Sequence, residues 1–296
     1  MSHQLLAIVG PTATGKTGLA VHLAGVFPSV LISADSRQLY RGLDVITGKD
    51  HPQEVELFGV DLLDPGQEAS VAVWQSAVEP VLEQAWQNNK LPIVVGGTGL
   101  FVKALTVGIP TSVIPPNESL RKRLAKLSVQ ELQLKLQSVD HAKYDSLNQS
   151  DRANPRRLVR ALEIAESATP LPQTPTRQSL KVGLQYSTLD LAKAAIQKRV
   201  QQRLAAGALT EAKSLLLSAA SPQIRSSLGL NSLFNYLKGS LSLSELEESW
   251  VQEDFSYYKR QLTWFRKDPS IHWFDPLDSH TVSELETLAK DWYSKL

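Results

Sequence analysis

The octet Gly10-Pro11-Thr12-Ala13-Thr14-Gly15-Lys16-Thr17 constrains this 296-residue chain more than any other stretch. It fits the pattern G-x-x-x-x-G-K-[ST] in full and follows directly on an apolar run at residues 5–9. A buried strand, a glycine-rich loop and a helix start in that order turn backbone N–H groups onto an anion at a helix N-terminus. Lys16 adds a mobile positive charge, and the Thr17 hydroxyl is placed to ligate Mg²⁺. The octet therefore specifies a phosphate group and leaves open which phosphate compound carries it.

The sequence around the octet predicts an α/β fold: a parallel sheet of the P-loop NTPase type, flanked by helices and interrupted by a helical insertion. Short apolar runs at residues 30–32 and 92–95 end in Ser-Ala-Asp-Ser and Gly-Gly, and residues 18–27 and 72–88 have helical spacing. Alternating strands and helices of this kind build a parallel sheet covered on both faces. After Pro110 the apolar residues recur every three or four positions, across 120–136 and 158–164, until a proline-rich stretch at 169–176. The expected organisation is an α/β core over residues 1–112 and 181–296, with the insertion over 113–180. Residues 182–186 read as a strand returning to the sheet, and 271–274 as a last short strand.

Composition narrows the chemistry. Without cysteine there is no disulfide, thiol nucleophile or cysteine-based zinc site. The six histidines are scattered without metal spacing, and no Asn-Lys-x-Asp guanine signature appears. No apolar run approaches the ~20 residues of a membrane span. The octet begins ten residues from the start, too early for a cleaved leader, so the expected location is the cytoplasm. The net charge of +1 conceals a basic middle: residues 111–210 hold 16 Lys/Arg against 8 Asp/Glu, between acidic flanks. That asymmetry fits either a polyanion partner or a solvated helical surface.

Four further groups bear on function. Asp35 follows the second strand, where open α/β sheets place their ligands, as a metal ligand, a proton acceptor or a helix cap. Thr98, in Gly96-Gly97-Thr98-Gly99, stands at another strand end, either in the same crevice or in a tight turn. Arg156, Arg157 and Arg160 neighbour one another on a helix. Residues 257–267 interleave cations and aromatics, suited to phosphate contact with base stacking or to an amphipathic helix with its aromatics inward.

Taken together these stretches resemble one family, the tRNA dimethylallyltransferases. The resemblance covers nearly the whole chain in order: GPTATGKT, SADSRQLYRGLDV (33–45), NKLPIVVGGTGLF (89–101), NPRRLVRALEI (154–164), RVQQRLAAGALTE (199–211) and YKRQLTWFR (258–266). It implies that Gly10 to Thr17 and Arg199 hold the diphosphate of dimethylallyl diphosphate, with Mg²⁺, rather than ATP. It implies that an adenosine of the tRNA anticodon stem-loop is extruded into a channel, as base-modifying enzymes require. Asp35 then falls at the general base facing the adenine amine, Thr98 near the reacting centre, and Lys16 among the catalytic groups. Asp35, Ser36, Arg37, Gln38, Arg156, Arg157, Arg160, Lys259, Arg260 and Gln261 are the implied tRNA contacts, and the enzyme is expected to act as a monomer. The alternatives are an adenylate prenyltransferase of the cytokinin type, a small-molecule kinase, and an RNA-binding protein without turnover.

The chain also departs from the family pattern. Ile46-Thr47-Gly48-Lys49-Asp50 stands where Gly-Thr-Ala-Lys-Pro is usual, and Gly229-Leu230-Asn231-Ser232 replaces a Gly-Tyr-x-Glu pattern. Asp254-Phe255 occupies the place of Thr-Arg before the KRQ sequence.

Overall fold

The computed structural model describes residues 3–49, 52, 55–172, 177–217, 221–225, 227 and 229–295. Asp50 and the end of the proline-rich stretch, residues 173–176, lie outside the described residues. The chain divides into two compact units, Met1–Gly108 with Thr176–Leu296, and Ile109–Pro175.

The first unit is built on a six-stranded sheet of β1 (Gln4–Val9), β2 (Ser29–Ser33), β3 (Leu57–Phe58), β4 (Leu91–Gly96), β5 (Gln178–Leu184) and β6 (Ile271–Phe274). Its order is β3-β2-β4-β1-β5-β6, with every pair parallel. All six residues of β1 are buried, because a central strand covered on both faces needs apolar side chains in both directions. Alternate residues enter different cores. Leu5, Ala7 and Val9 join Ile32 and Val94 beneath helices Val71–Gln87, Leu189–Ala205 and Leu243–Phe265. Leu6 and Ile8 join Leu31, Ile93 and Val182 against helices Lys16–Val26 and Thr281–Tyr293. The last of these helices and the two-residue β3 had no counterpart in the sequence reading.

The expected insertion boundary moves. Gln178 to Leu180, assigned from sequence to the insertion, belong to β5, where Gln178 pairs with Gln4. The polar start of this strand hides it from a search for apolar runs. At the other end, the 3₁₀ turn Pro110–Val113 groups with the second unit.

That second unit has its own core of Leu120, Leu124, Leu132, Leu136, Leu158, Ala161 and Leu162. The periodic stretch 120–136 is two helices, Glu118–Leu124 and Val129–Val139. Ser128 restarts the chain with a capping box closed by Glu131. Glu163 is buried and accepts from Arg121 Nε (2.7 Å), Asn117 N (2.9 Å) and Arg160 Nη1 (3.2 Å). Burial alone would raise its carboxyl, but the Arg121 and Asn117 hydrogen bonds outweigh it and hold the group below the usual range. Among the described residues no helix is long and apolar enough to cross a membrane.

Candidate active site

The loops leaving the carboxyl ends of β1, β2 and β4 meet at one edge of the sheet. Gly10, directly after β1, has φ 138°, and a Cβ there would overlap the Leu184 carbonyl oxygen of β5. Only glycine lets the loop turn this close to the neighbouring strand. The loop ends at Gly15, which precedes the helix Lys16–Val26. Thr14 Oγ1 donates to Pro11 O at 2.9 Å, and Lys16 Nζ lies 2.5 Å from the same carbonyl. Tyr186, a residue that sequence reasoning passed over, donates its hydroxyl to Ala13 O at 2.7 Å.

A polar cleft of about 190 Å³ opens on this loop, and Thr12, Gly15, Lys16 and Thr17 line it together with Asp35, Gln38, Arg199 and Gln261. Asp35 arrives from the end of β2, where its Oδ1 accepts from Arg37 N at 3.0 Å. Two cations, one carboxylate and a helix start thus face a single volume. An anion in it would meet Lys16, Arg199 and the positive end of the helix, with Asp35 at the margin as the proton acceptor or metal ligand.

Thr98 does not line the cleft; its Oγ1 accepts from Ser36 N at 3.0 Å and lies 3.2 Å from Ser36 Oγ, so it fixes the turn after Asp35. Arg37 stacks on the Tyr257 ring, 3.8 Å from its centroid. Burial would lower the Arg37 guanidinium, but Tyr257 and the carboxylates of Asp35 and Asp254 outweigh it and keep it above its ordinary value. Burial also pushes the Tyr257 hydroxyl up, so it remains a phenol. Tyr257 was visible only as one aromatic in a mixed run; its contact with the Asp35 turn has no local signal.

Gln38, Gln261 and Arg160 each have hydrogen-bond partners within the protein. Gln38 accepts from Ser33 Oγ (2.7 Å) and donates to Gly48 O (3.3 Å). Gln261, buried, accepts from Thr12 N and donates to Gly97 O, both at 2.9 Å, tying the phosphate loop to the Gly96–Gly99 turn. In this arrangement the amide positions the phosphate loop. Gln261→Leu is expected to weaken anion binding at the loop roughly five- to tenfold, the worth of one or two neutral hydrogen bonds. Calorimetric titration with inorganic diphosphate checks it, and unchanged affinity removes the role.

Arg160 donates to Glu163 and to the carbonyls of Thr111 and Ile114, bracing the second unit. Arg157 pairs with Asp151. Arg156, Lys259 and Arg260 are exposed, with Lys259 over the Phe255 ring and Arg260 over that of Tyr257.

Known proteins similar to this chain fall in one family. A family model described as IPP transferase matches residues 38–268, and one described as isopentenyl transferase matches residues 3–61. The chain is 34% identical to a tRNA dimethylallyltransferase of Oleidesulfovibrio alaskensis, over 95% of this chain and 96% of that one. It is 37% identical to one from Synechococcus elongatus, over 92% and 90%. The crystal structure of a full-length tRNA isopentenylpyrophosphate transferase from Bacillus halodurans superposes with a TM-score of 0.73 at 32% identity, covering 98% of this chain and 96% of that one. A eukaryotic dimethylallyltransferase acting on tRNA has the same fold, with a TM-score of 0.83 at 22% identity, covering 99% and 80%. With matches of this extent in sequence and fold, the chain belongs to the IPP transferase family.

Proposed function

We propose that this chain is a tRNA dimethylallyltransferase, moving a dimethylallyl group from dimethylallyl diphosphate to N6 of an adenosine beside the anticodon and releasing diphosphate. The observation that carries the reading is the single cleft in which Asp35 faces Lys16, Thr17 and Arg199. A carboxylate among the cations at the sheet edge suits a nucleophile that must lose a proton, and since a kinase acting on a hydroxyl would use the same set, membership of the IPP transferase family favours prenyl transfer.

The chemistry assigns each group a task. The exocyclic amine of adenine is a poor nucleophile, because its lone pair is delocalised into the ring. As N6 bonds to the allylic C1, the C1–O bond breaks and its electron pair leaves with the diphosphate. Asp35 takes the N6 proton. The allylic carbon tolerates positive charge, so much of the barrier falls by stabilising the departing oxygens. Lys16, Arg199 and the N–H groups of the loop do this.

The cleft also fits a divalent cation. Thr17 supplies one hard oxygen at the helix start, and among the described residues no cluster of three acidic or histidine side chains forms a cage. That donor set suits Mg²⁺, which is held largely by substrate phosphate oxygens. When bound, Mg²⁺ would neutralise charge on the leaving group. Exposed Arg156, Lys259 and Arg260, with the basic middle of the chain, supply cations for the RNA backbone. The working form is a monomer in the cytoplasm.

The test is transfer of label from radioactive dimethylallyl diphosphate, with Mg²⁺, to an unmodified anticodon stem-loop. Labelled RNA at the adenosine supports the reading. Label appearing only on AMP supplied in competition would move the assignment to adenylate prenylation, and ATP consumption without prenyl transfer would move it to a kinase.

A further inference from the structure

The segment after Tyr40 contains a single helical turn, Asp44–Thr47, whose two ends are both held by distant side chains. At its start, the Glu211 carboxylate accepts from Asp44 N (2.6 Å), Val45 N (3.0 Å) and Ile46 N (2.7 Å). These are orphan donors that a helix start must satisfy from elsewhere. At its end, two arginines one turn apart on the helix Leu189–Ala205 donate to consecutive carbonyls. Arg203 Nη2 reaches Thr47 O at 3.1 Å, and Arg199 Nη2 reaches Gly48 O at 3.2 Å. Acid at the start and cations at the finish both match the helix dipole.

Gly48 completes the arrangement. Its φ is 59°, and a Cβ would overlap the Nη2 atoms of both Arg199 and Arg203. Gln38 donates to the same Gly48 carbonyl. Below the turn, the buried Lys49 ammonium holds Asp44 Oδ1 and Asp61 Oδ1, each at 2.5 Å, and Tyr40 O at 3.0 Å. The turn is therefore fixed from several sides, whereas an arginine side chain left to itself samples many rotamers.

We propose that the Asp44–Thr47 turn with Gly48 is a latch that aims Arg199 into the phosphate cleft, with Glu211 and Gly48 as positioning residues for departure of the diphosphate. The proposal rests on the reading of that cleft as the diphosphate site. The turn itself does not line that cleft. It presents a carbonyl at a set place, and Arg199, docked on it through one nitrogen, keeps the rest of its guanidinium for the cleft it lines. Pre-placing a cation where negative charge gathers removes the cost of organising it during reaction.

Inorganic diphosphate with Mg²⁺ is the probe, titrated calorimetrically into the full chain and into Gly48→Ala, Glu211→Gln, Arg199→Ala and the two double variants with Arg199→Ala. Gly48→Ala and Glu211→Gln are each expected to weaken binding about ten- to a hundredfold, the worth of one charge-assisted hydrogen bond. KM for the prenyl diphosphate should rise in step, with KM for the RNA unchanged. In the Arg199→Ala background neither substitution should weaken binding further, because the arm it aims is gone. Penalties that multiply with Arg199→Ala, or parent-like binding by Glu211→Gln, overturn the latch. Should Gly48→Ala not fold, Glu211→Gln carries the cycle alone. If Arg199→Ala itself binds like the parent, the diphosphate reading of the cleft falls together with the latch; a clear Arg199 effect without coupling removes the latch alone.

Discussion

Asparagine at position 35 is expected to slow prenyl transfer about 10²–10⁴-fold, the range that a positioned general base supplies. The substitution removes little else. An asparagine keeps an oxygen to accept from Arg37 N, as Asp35 Oδ1 does at 3.0 Å, so the turn after β2 should persist. Thr98 still holds Ser36 from the neighbouring strand end, and Arg37 remains stacked on Tyr257. Lys16 and Arg199 in the same cleft are untouched, and losing one negative charge from the lining should leave diphosphate affinity unchanged or tighter. Single-turnover transfer under saturating substrates reads the chemical step directly. Parent-like rates in Asp35→Asn would sink the base assignment and leave Asp35 as an element of the turn.

This contrast between Asp35 and Thr98 shows how far the sequence reaches. A carboxylate at a strand end is placed by local pattern alone, because the strand fixes where its last residue emerges. The parallel sheet was legible for the same reason: β1, β2 and β4 are apolar runs closed by glycine or serine. Side-chain partners across the fold were not. Gln261 and Thr12 meet 249 positions apart, and nothing near either one signals it. The KRQ sequence therefore read as a basic surface, although its glutamine points inward and only its lysine and arginine are exposed. The partners of Arg160 are hidden in the same way: a buried glutamate one turn on and two carbonyls in and just after the 3₁₀ turn Pro110–Val113 depend on packing within the second unit.

The strongest effect on stability is expected at a pair that local pattern also hides. Arg203 Nη1 meets Asp254 Oδ2 at 3.2 Å, with side chains only 7% and 2% exposed. Arg203 Nε and Asp254 Oδ1 have no hydrogen-bond partner, so the pair is incompletely satisfied. Burial, aided by the Arg199 charge, pushes the Arg203 guanidinium down to about 9, while Asp254 pulls it up; it is charged at neutral pH. Asp254→Ala leaves that charge buried beside Trp250 without its counter-ion, and a loss of about 3–5 kcal/mol follows from breaking a buried pair on one side. Replacing both partners with apolar residues, as in Arg203→Met with Asp254→Leu, removes the two desolvation costs together and should recover most of that loss, less about 1–3 kcal/mol for the Thr47 carbonyl that Arg203 no longer reaches. Arg203 is what makes a carboxylate tolerable at this buried position. Urea unfolding of the two variants separates the cases. A double variant as unstable as Asp254→Ala would mean that shape at this site, rather than uncompensated charge, sets the loss.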